Sequence, residues 1–314
     1  MLRGMEQPWD CIVVGGGAAG LSAALVLGRA RRRTLVVDAG RPSNAVAAGI
    51  GGLLGHDHRP PAELYAAGRA ELVSYPSVEV RTGEVAGGRR DGDDFVLDLA
   101  DGSQARAGRV LLATGMDYRH PAVPGIEERW GRSVFHCPFC HGWEVRDGVL
   151  GVLGRGDAGV HRALLLRMWS DDVTLFTDGP AELPDADLAR LRAAGVGVDE
   201  RPVLEVSGPG DALEAVRFTG GSERGCDGLL VAVTLHQRSG LAAALGAELA
   251  EPGMLAADAV QVDAMFHTSV PGLYAAGDAN GEMPSVANAV AAGSKAAASM
   301  VGDIAVAAPT LARA

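Results

Sequence analysis

The chain has 314 residues, 47% of them apolar, enough for two domains of ordinary size, each with its own core. Its 28 basic against 39 acidic side chains leave a formal charge of −11, which repels phosphate backbones and argues against nucleic acid as a partner. Residues 1–10 show no apolar signal core, no uninterrupted apolar run approaches membrane-spanning length, and four cysteines do not make a secreted disulfide framework, so a soluble cytoplasmic protein with no membrane partner is expected.

In chain order, Cys11-Ile12-Val13-Val14 is an apolar strand that runs into Gly15-Gly16-Gly17-Ala18-Ala19-Gly20. Leu21, Ala24, Leu25 and Gly28 follow at helical spacing, and a second strand, Thr34 to Val37, ends on Asp38, 23 positions after the first glycine. This is G-x-G-x-x-G in its strand-turn-helix setting. The glycines permit a tight turn and close approach of a pyrophosphate, the helix N-terminus faces the phosphates, and Asp38 is placed to bond ribose hydroxyls. Cys11, inside the strand, reads as a small core residue.

A glycine-rich connection leads to Gly55-His56-Asp57-His58-Arg59-Pro60-Pro61. Its histidines, with no further ligand close in sequence, read as a polar loop laid against a cofactor or substrate opening rather than a metal site. The double proline starts a helix carried by Glu63, Leu64, Ala67, Ala70 and Leu72. Short strands are predicted at 78–81, 84–86, 95–99 and 109–113, the last ending in Ala113-Thr114-Gly115, where small residues again let backbone touch a ligand.

His136-Cys137-Pro138-Phe139-Cys140-His141-Gly142-Trp143-Glu144 carries the most chemistry. Two cysteines three positions apart can close a small disulfide, and the flanking histidines can move the protons that making or breaking it requires. Half a zinc site and a pair of unreactive core thiols are the competing readings. Zinc normally takes a second pair of ligands, and the remaining cysteines, Cys11 and Cys226, are lone and far off, although His136 and His141 can complete a site on residue type alone. His141 is the first choice as general base. His136 is the second, against a packing or hydrogen-bonding role. Pro138 stiffens the turn, and Trp143 fills core by default or walls a substrate site.

A strand at 148–153 then enters Gly154-Arg155-Gly156-Asp157-Ala158-Gly159, with a helix through Leu164, Leu165 and Met168 and a strand ending at Asp178, 24 positions on. From Val173 through Ala189 there is no Arg or Lys. A 2′-phosphate needs a cation there, so NADPH is disfavoured, and two readings stay open: an NADH site, or a retained fold that holds no nucleotide. Further strands are expected at 203–206, 215–218 and 229–233, with Cys226 as a bystander surface thiol in the turn between them. Val270 to Ala276 forms a strand ending on Gly277-Asp278, an acid placed for a sugar or ribityl hydroxyl or for a helix cap. A helix rich in Ala and Val runs from about 285 to 301, and an Ala-rich tail is expected to fray.

In this order the pieces resemble the low-molecular-weight thioredoxin reductase family of flavoproteins. The resemblance implies an α/β fold of two Rossmann-like dinucleotide-binding domains, the second inserted into the first: an FAD domain from residues 1–115 and 246–314, and an NAD(P)-binding-like domain from 116–245 that carries the CxxC. It implies FAD on Gly15, Gly17, Ala18, Ala19, Gly20, Asp38, Ala113, Thr114, Gly115, Gly277 and Asp278, with Asp278 at the ribityl chain, and a homodimer. The reductases have an acid after the second cysteine, where this chain has His141. Cys-Pro-Phe-Cys-His-Gly-Trp-Glu and Gly-His-Asp-His-Arg-Pro-Pro-Ala-Glu are similar instead to the dithiol oxidases that close disulfides in compounds such as gliotoxin, holomycin and romidepsin. That branch implies a small-molecule dithiol as electron donor, Cys137 taking the mixed disulfide, Cys140 against the flavin, and oxygen leaving as hydrogen peroxide. The same parts run backwards make a disulfide reductase fed by NADH or a ferredoxin-type donor. A non-catalytic redox-sensing flavoprotein is the third reading.

Overall fold

The computed structural model describes residues 7–307, which fall into two compact units. The first comprises residues up to Ala45, Pro60–Tyr118 and Leu235 onward; the second comprises Val46–Arg59 and Arg119–Thr234. Domain borders were expected at 115/116 and 245/246; the contacts divide the chain at 118/119 and 234/235 and also move residues 46–59 into the second unit. The reason is local: that loop lies on the CxxC turn, where a β-carbon at Gly51 would come 2.7 Å from the carbonyl oxygen of Cys140. On the return, the strand Thr234–Gln237 pairs with Met116–Arg119, so the first unit resumes at Leu235.

The first unit begins with β1 (Trp9–Val14), α1 (Ala18–Arg29) and β2 (Thr34–Asp38), then α2 (Pro61–Leu72), whose first residue is the second of the two prolines. Strands β3 (Val78–Thr82), β4 (Val85–Asp91), β5 (Asp94–Leu99), β6 (Gln104–Leu112) and β7 (Met116–Arg119) follow. Strand β6 starts five residues before its expected position, because its first half, too short of large apolar residues to be noticed, pairs antiparallel with β5.

The second unit contains β8 (Val134–Phe135), α3 (Pro138–His141), β9 (Val149–Leu153), α4 (Gly156–Leu166), β10 (Asp172–Phe176), α5 (Asp185–Ala193), β11 (Val196–Asp199), β12 (Val203–Ser207), β13 (Ala215–Phe218), β14 (Glu223–Gly225) and β15 (Gly228–Val231). Its main sheet has the order β11-β10-β9-β15-β8 and is parallel throughout, with β12-β13-β14 as a separate antiparallel sheet. Cys226 is 1% exposed, packed in the core with Phe176 and Leu229. It is therefore no surface thiol: its polar turn neighbours stay outside while the side chain turns inward, and burial pushes it up to about 12.

The chain returns through β16 (Thr234–Gln237), α6 (Leu241–Ala244), β17 (Leu273–Ala275) and α7 (Val286–Ala307). Strands β2, β1, β6 and β17 run parallel, so their carboxyl ends share one edge of the sheet. Helix α7 continues six residues past its expected end; the remaining tail, like residues 1–6, lies outside the described residues. With 22 residues and a mean hydropathy of 1.2, α7 meets the length and apolarity of a membrane span, which the sequence was expected to lack. Part of that apolarity serves a protein core, since Ala292, Ala296, Ala297 and Met300 are buried with α1. At Gly293 the backbone of α1 passes so close that a β-carbon would overlap the carbonyl of Ala19.

Candidate active site

Every FAD residue named from the sequence gathers at the carboxyl edge of the first unit's sheet. Gly15 leaves β1 with φ +107, and a side chain there would overlap the Ala113 carbonyl at the end of β6. The Ala113 N–H donates to Val14 (2.9 Å) and the Ala276 N–H to Leu112 (3.0 Å), so Ala113-Thr114-Gly115 and Gly277-Asp278 flank the turn. Gly17 caps α1 with nothing within 4 Å of where its β-carbon would be, and no acid stands in the first turn of α1, with Ala18, Ala19 and Gly20 as its opening residues. Phosphate therefore meets open space and unopposed backbone N–H groups there.

Asp38 ends β2 and accepts the Gly40 N–H (2.9 Å), with Arg69 3.5 Å from its other oxygen. The Asp278 carboxylate accepts the Tyr118 hydroxyl (2.7 Å), and burial, only partly opposed by that bond, holds it above the usual carboxylate range. The 3-10 turn it lies in, Gly277–Asn280, has Ala276 and not Asp278 at its cap position. Nearby in sequence, the side-chain amide nitrogen of Asn280 is buried with no hydrogen-bond partner among the described residues. An open phosphate cradle, a strand-end acid, a buried carboxylate and an unanswered donor fit FAD.

The redox pair belongs to the second unit. Cys137 is extended at the N-terminus of α3, Pro138 occupies the first helical position, and the Cys137 carbonyl accepts N–H groups from Cys140 and His141 at 3.2 Å. That single turn brings the two Sγ atoms within 2.6 Å, the Cys140 thiol donating to Cys137. This donation is the chief cause, with the N–H groups of Cys140 and Phe139 aiding against burial, that lowers Cys137 to about 7. The same bond, burial and the charges of Cys137 and Glu144 push Cys140 up. One proton is thus shared between two unequal sulfurs.

His136 stacks on Trp130 (5.7 Å), and burial, with His141 beside it, lowers it to about 4. At neutral pH it is a weaker proton acceptor than His141. His141 stacks on Phe135 (5.7 Å); its two ring nitrogens are buried and neither has a partner in hydrogen-bond geometry among the described residues. Burial lowers His141 below 6.5, against opposing pulls from Glu144 and the carbonyls of Cys137 and Gly131.

A cleft of roughly 210 Å³ opens at Cys140, lined besides by Gly51, Gly52, Asp57, His58, Phe139, Trp143 and Glu144. Trp143 is 57% exposed, so it walls the cleft instead of filling core. It is kept there by the Arg146 guanidinium, 3.9 Å over its ring. The sequence pattern places the His-Asp-His loop near an opening but gives no role to His58, Asp57 or Glu144.

The second fingerprint differs from the first. Arg155 donates to the Asp178 carbonyl and lies 3.9 Å from its carboxylate, which also accepts the Val203 N–H (2.8 Å). Asp157 stands in the first turn of α4.

A sequence model of the pyridine nucleotide-disulphide oxidoreductase family matches residues 9–293. The chain belongs to this family. Among its members, a thioredoxin reductase of Claviceps purpurea, tcpT, is 35% identical over 90% of both chains, and one of Leptosphaeria maculans, sirT, is 31% identical over 91% of both. The solved structure of HlmI superposes with a TM-score of 0.88 at 39% identity, covering 97% of this chain and 96% of that one. The protein is accordingly a thioredoxin reductase-like enzyme that acts on thiol-disulfide groups and takes FAD, as family members do.

Proposed function

We propose that the enzyme is a dithiol oxidase: it closes a disulfide in a small-molecule dithiol through Cys137 and Cys140, with oxygen as the electron acceptor. The observation that carries this reading is the second fingerprint. The Asp178 carboxylate, where a nucleotide's ribose would need the acid, already accepts the Val203 N–H, and Asp157 stands where the pyrophosphate would need an unopposed helix terminus. This supports electrons arriving from thiols instead of from a nicotinamide.

A substrate thiolate attacks the Sγ of Cys137, the role the resemblance implies for it, and Cys140 departs as thiolate. The substrate's second thiol then loses its proton and attacks the substrate sulfur of the mixed disulfide, closing the product and freeing Cys137. His141, neutral at pH 7 because burial depresses it, receives a thiol proton. The Cys140 thiolate released in the first step is the electron-donating sulfur, and Cys137, lowered to about 7, is the good leaving thiolate when the product disulfide closes. Bound FAD supplies the two-electron acceptor between this pair and oxygen, which leaves as hydrogen peroxide.

The names of the relatives favour a second reading, a disulfide reductase in which NADH or another donor feeds the same pair in reverse. Anaerobic mixing of the yellow protein with NADH, NADPH and dithiothreitol separates the two. Bleaching by the dithiol alone, with colour and peroxide returning in air, is expected; rapid bleaching by a nucleotide makes the enzyme a reductase. Cys137→Ser should keep FAD and lose turnover, and a variant that still turns over normally removes Cys137 from the mechanism.

A further inference from the structure

Closing a disulfide releases two thiol protons. His141 is a buried acceptor, with both ring nitrogens sealed from solvent. A thiol arriving from solution meets the cleft first, and there the exposed base is His58, whose side chain is 58% accessible.

The loop that delivers His58 is built for a fixed approach. The Ile50 N–H donates to the Arg59 carbonyl (3.0 Å) and the His58 N–H to that of Ile50 (2.9 Å), which holds His58 at φ +61, a left-handed conformation that a residue with a β-carbon seldom adopts. Gly51 lets the loop touch the Cys140 backbone. The ring then lies between two carboxylates: Nδ1 is 3.3 Å from Oε1 of Glu144, and Nε2 is 3.3 Å from Oδ2 of Asp57. Asp57 is fixed in turn by the Gly52 N–H (2.8 Å). A neutral imidazole has a single N–H, so one carboxylate always faces a bare ring nitrogen. A proton delivered to that nitrogen stands 3.3 Å from a carboxylate oxygen, as one half of an ion pair.

We propose that His58 is the base that takes the proton from the substrate thiol entering the cleft, with Glu144 and Asp57 as positioning residues. The inference rests on the dithiol oxidase reading. In the step, R–SH gives its proton to the His58 ring and becomes R–S⁻. The thiolate attacks the Cys137–Cys140 disulfide, one S–S bond forms as the other breaks, and the departing cysteine carries the negative charge. The imidazolium returns its proton to water through the open cleft.

The test is anaerobic stopped-flow bleaching of the FAD-loaded wild type and His58→Gln at pH 7.5. Two dithiols serve as probes: dithiothreitol, mostly protonated at that pH, and benzene-1,2-dithiol, mostly ionised. His58→Gln should bleach about 10²-fold more slowly with dithiothreitol and nearly normally with the aryl dithiol, which needs no base, and free imidazole should restore part of the loss. Glu144→Gln, which removes one of the two carboxylates on the ring, should show a smaller loss with the same selectivity and serves if His58→Gln does not hold FAD. Equal slowing with both dithiols, or no slowing with dithiothreitol, overturns the proposal. If the wild type itself is bleached by neither dithiol, the oxidase reading has failed and the proposal falls with it.

Discussion

The two units carry the same glycine fingerprint and treat it in opposite ways. At Gly15–Gly20 the Asp38 side chain lies against Gly16 and the space at Gly17 is open, α1 begins without an acid, and a buried carboxylate and an amide nitrogen with no partner among the described residues lie in the adjoining turn. At Gly154–Gly159 the strand, turn and helix are intact, yet the Asp178 carboxylate is taken by the Val203 N–H and Asp157 sits in the first turn of α4. A fingerprint of glycines specifies a backbone shape; what surrounds the turn decides whether anything is held there.

The largest effect is expected where the first cradle is filled. Gly17 has ordinary φ and open space, so Gly17→Val should fold and purify colourless, with far-ultraviolet circular dichroism unchanged. A yellow Gly17→Val protein would break the contrast. Next is His141→Ala in the second unit, which should keep its colour and slow dithiol turnover by about 10²-fold at neutral pH. Because burial lowers this histidine below 6.5, wild-type turnover should fall on acidification through that lowered value, and the variant should lose this limb of its pH profile. An unchanged profile removes His141 from the role of base.

Smaller still is Gly156→Ala. Gly156 has φ +56 with open space around it, so the cost is backbone strain of about 1 kcal/mol, read by thermal melting, with colour and turnover untouched. The smallest effect is expected at His267, which joins Asp263 (2.9 Å) and Asp303 (2.9 Å) and pins α7 to the preceding loop. Burial works against protonation of His267, but the two carboxylates outweigh it and raise its pKa, while Asp303 and Asp263 are lowered. The histidine's contribution is complete below about pH 6.5 and lost as pH rises through the raised value. The carboxylates' contribution is present above about pH 3.9 and lost as pH falls through their lowered values. The melting gap between wild type and His267→Gln should therefore be widest near pH 5 and close in alkali. A gap that does not change with pH would assign His267 a packing role.

The first cradle was legible because its parts are consecutive: a strand, a glycine turn, a helix and a strand-end acid all fall within residues 11–38. The CxxC was equally legible, since three positions are one helical turn. The cleft was not, because it joins residues 51–58 to residues 139–144, and nothing in the local pattern of either stretch says that they meet. The available hint was compositional, a His-Asp-His run flanked by Gly51, Gly52 and Gly55. Cys226 as a surface thiol and the default of Trp143 as core fail for mirror-image reasons: polar neighbours conceal a buried thiol, and a large apolar ring is held at the surface by an arginine.

The pairing of β17 with β6 and of α7 with α1 means that the earliest and latest stretches of the chain finish one core together. On the ribosome, the strands and helices up to Tyr118 have to wait for Leu273 and beyond, on the order of ten seconds at roughly 5–20 residues per second. The stretch from Arg119 to Thr234, with its own sheets and its redox turn, is synthesised entirely within that wait. The cysteine pair is thus in place on the nascent chain before the sheet that is to hold FAD can be completed.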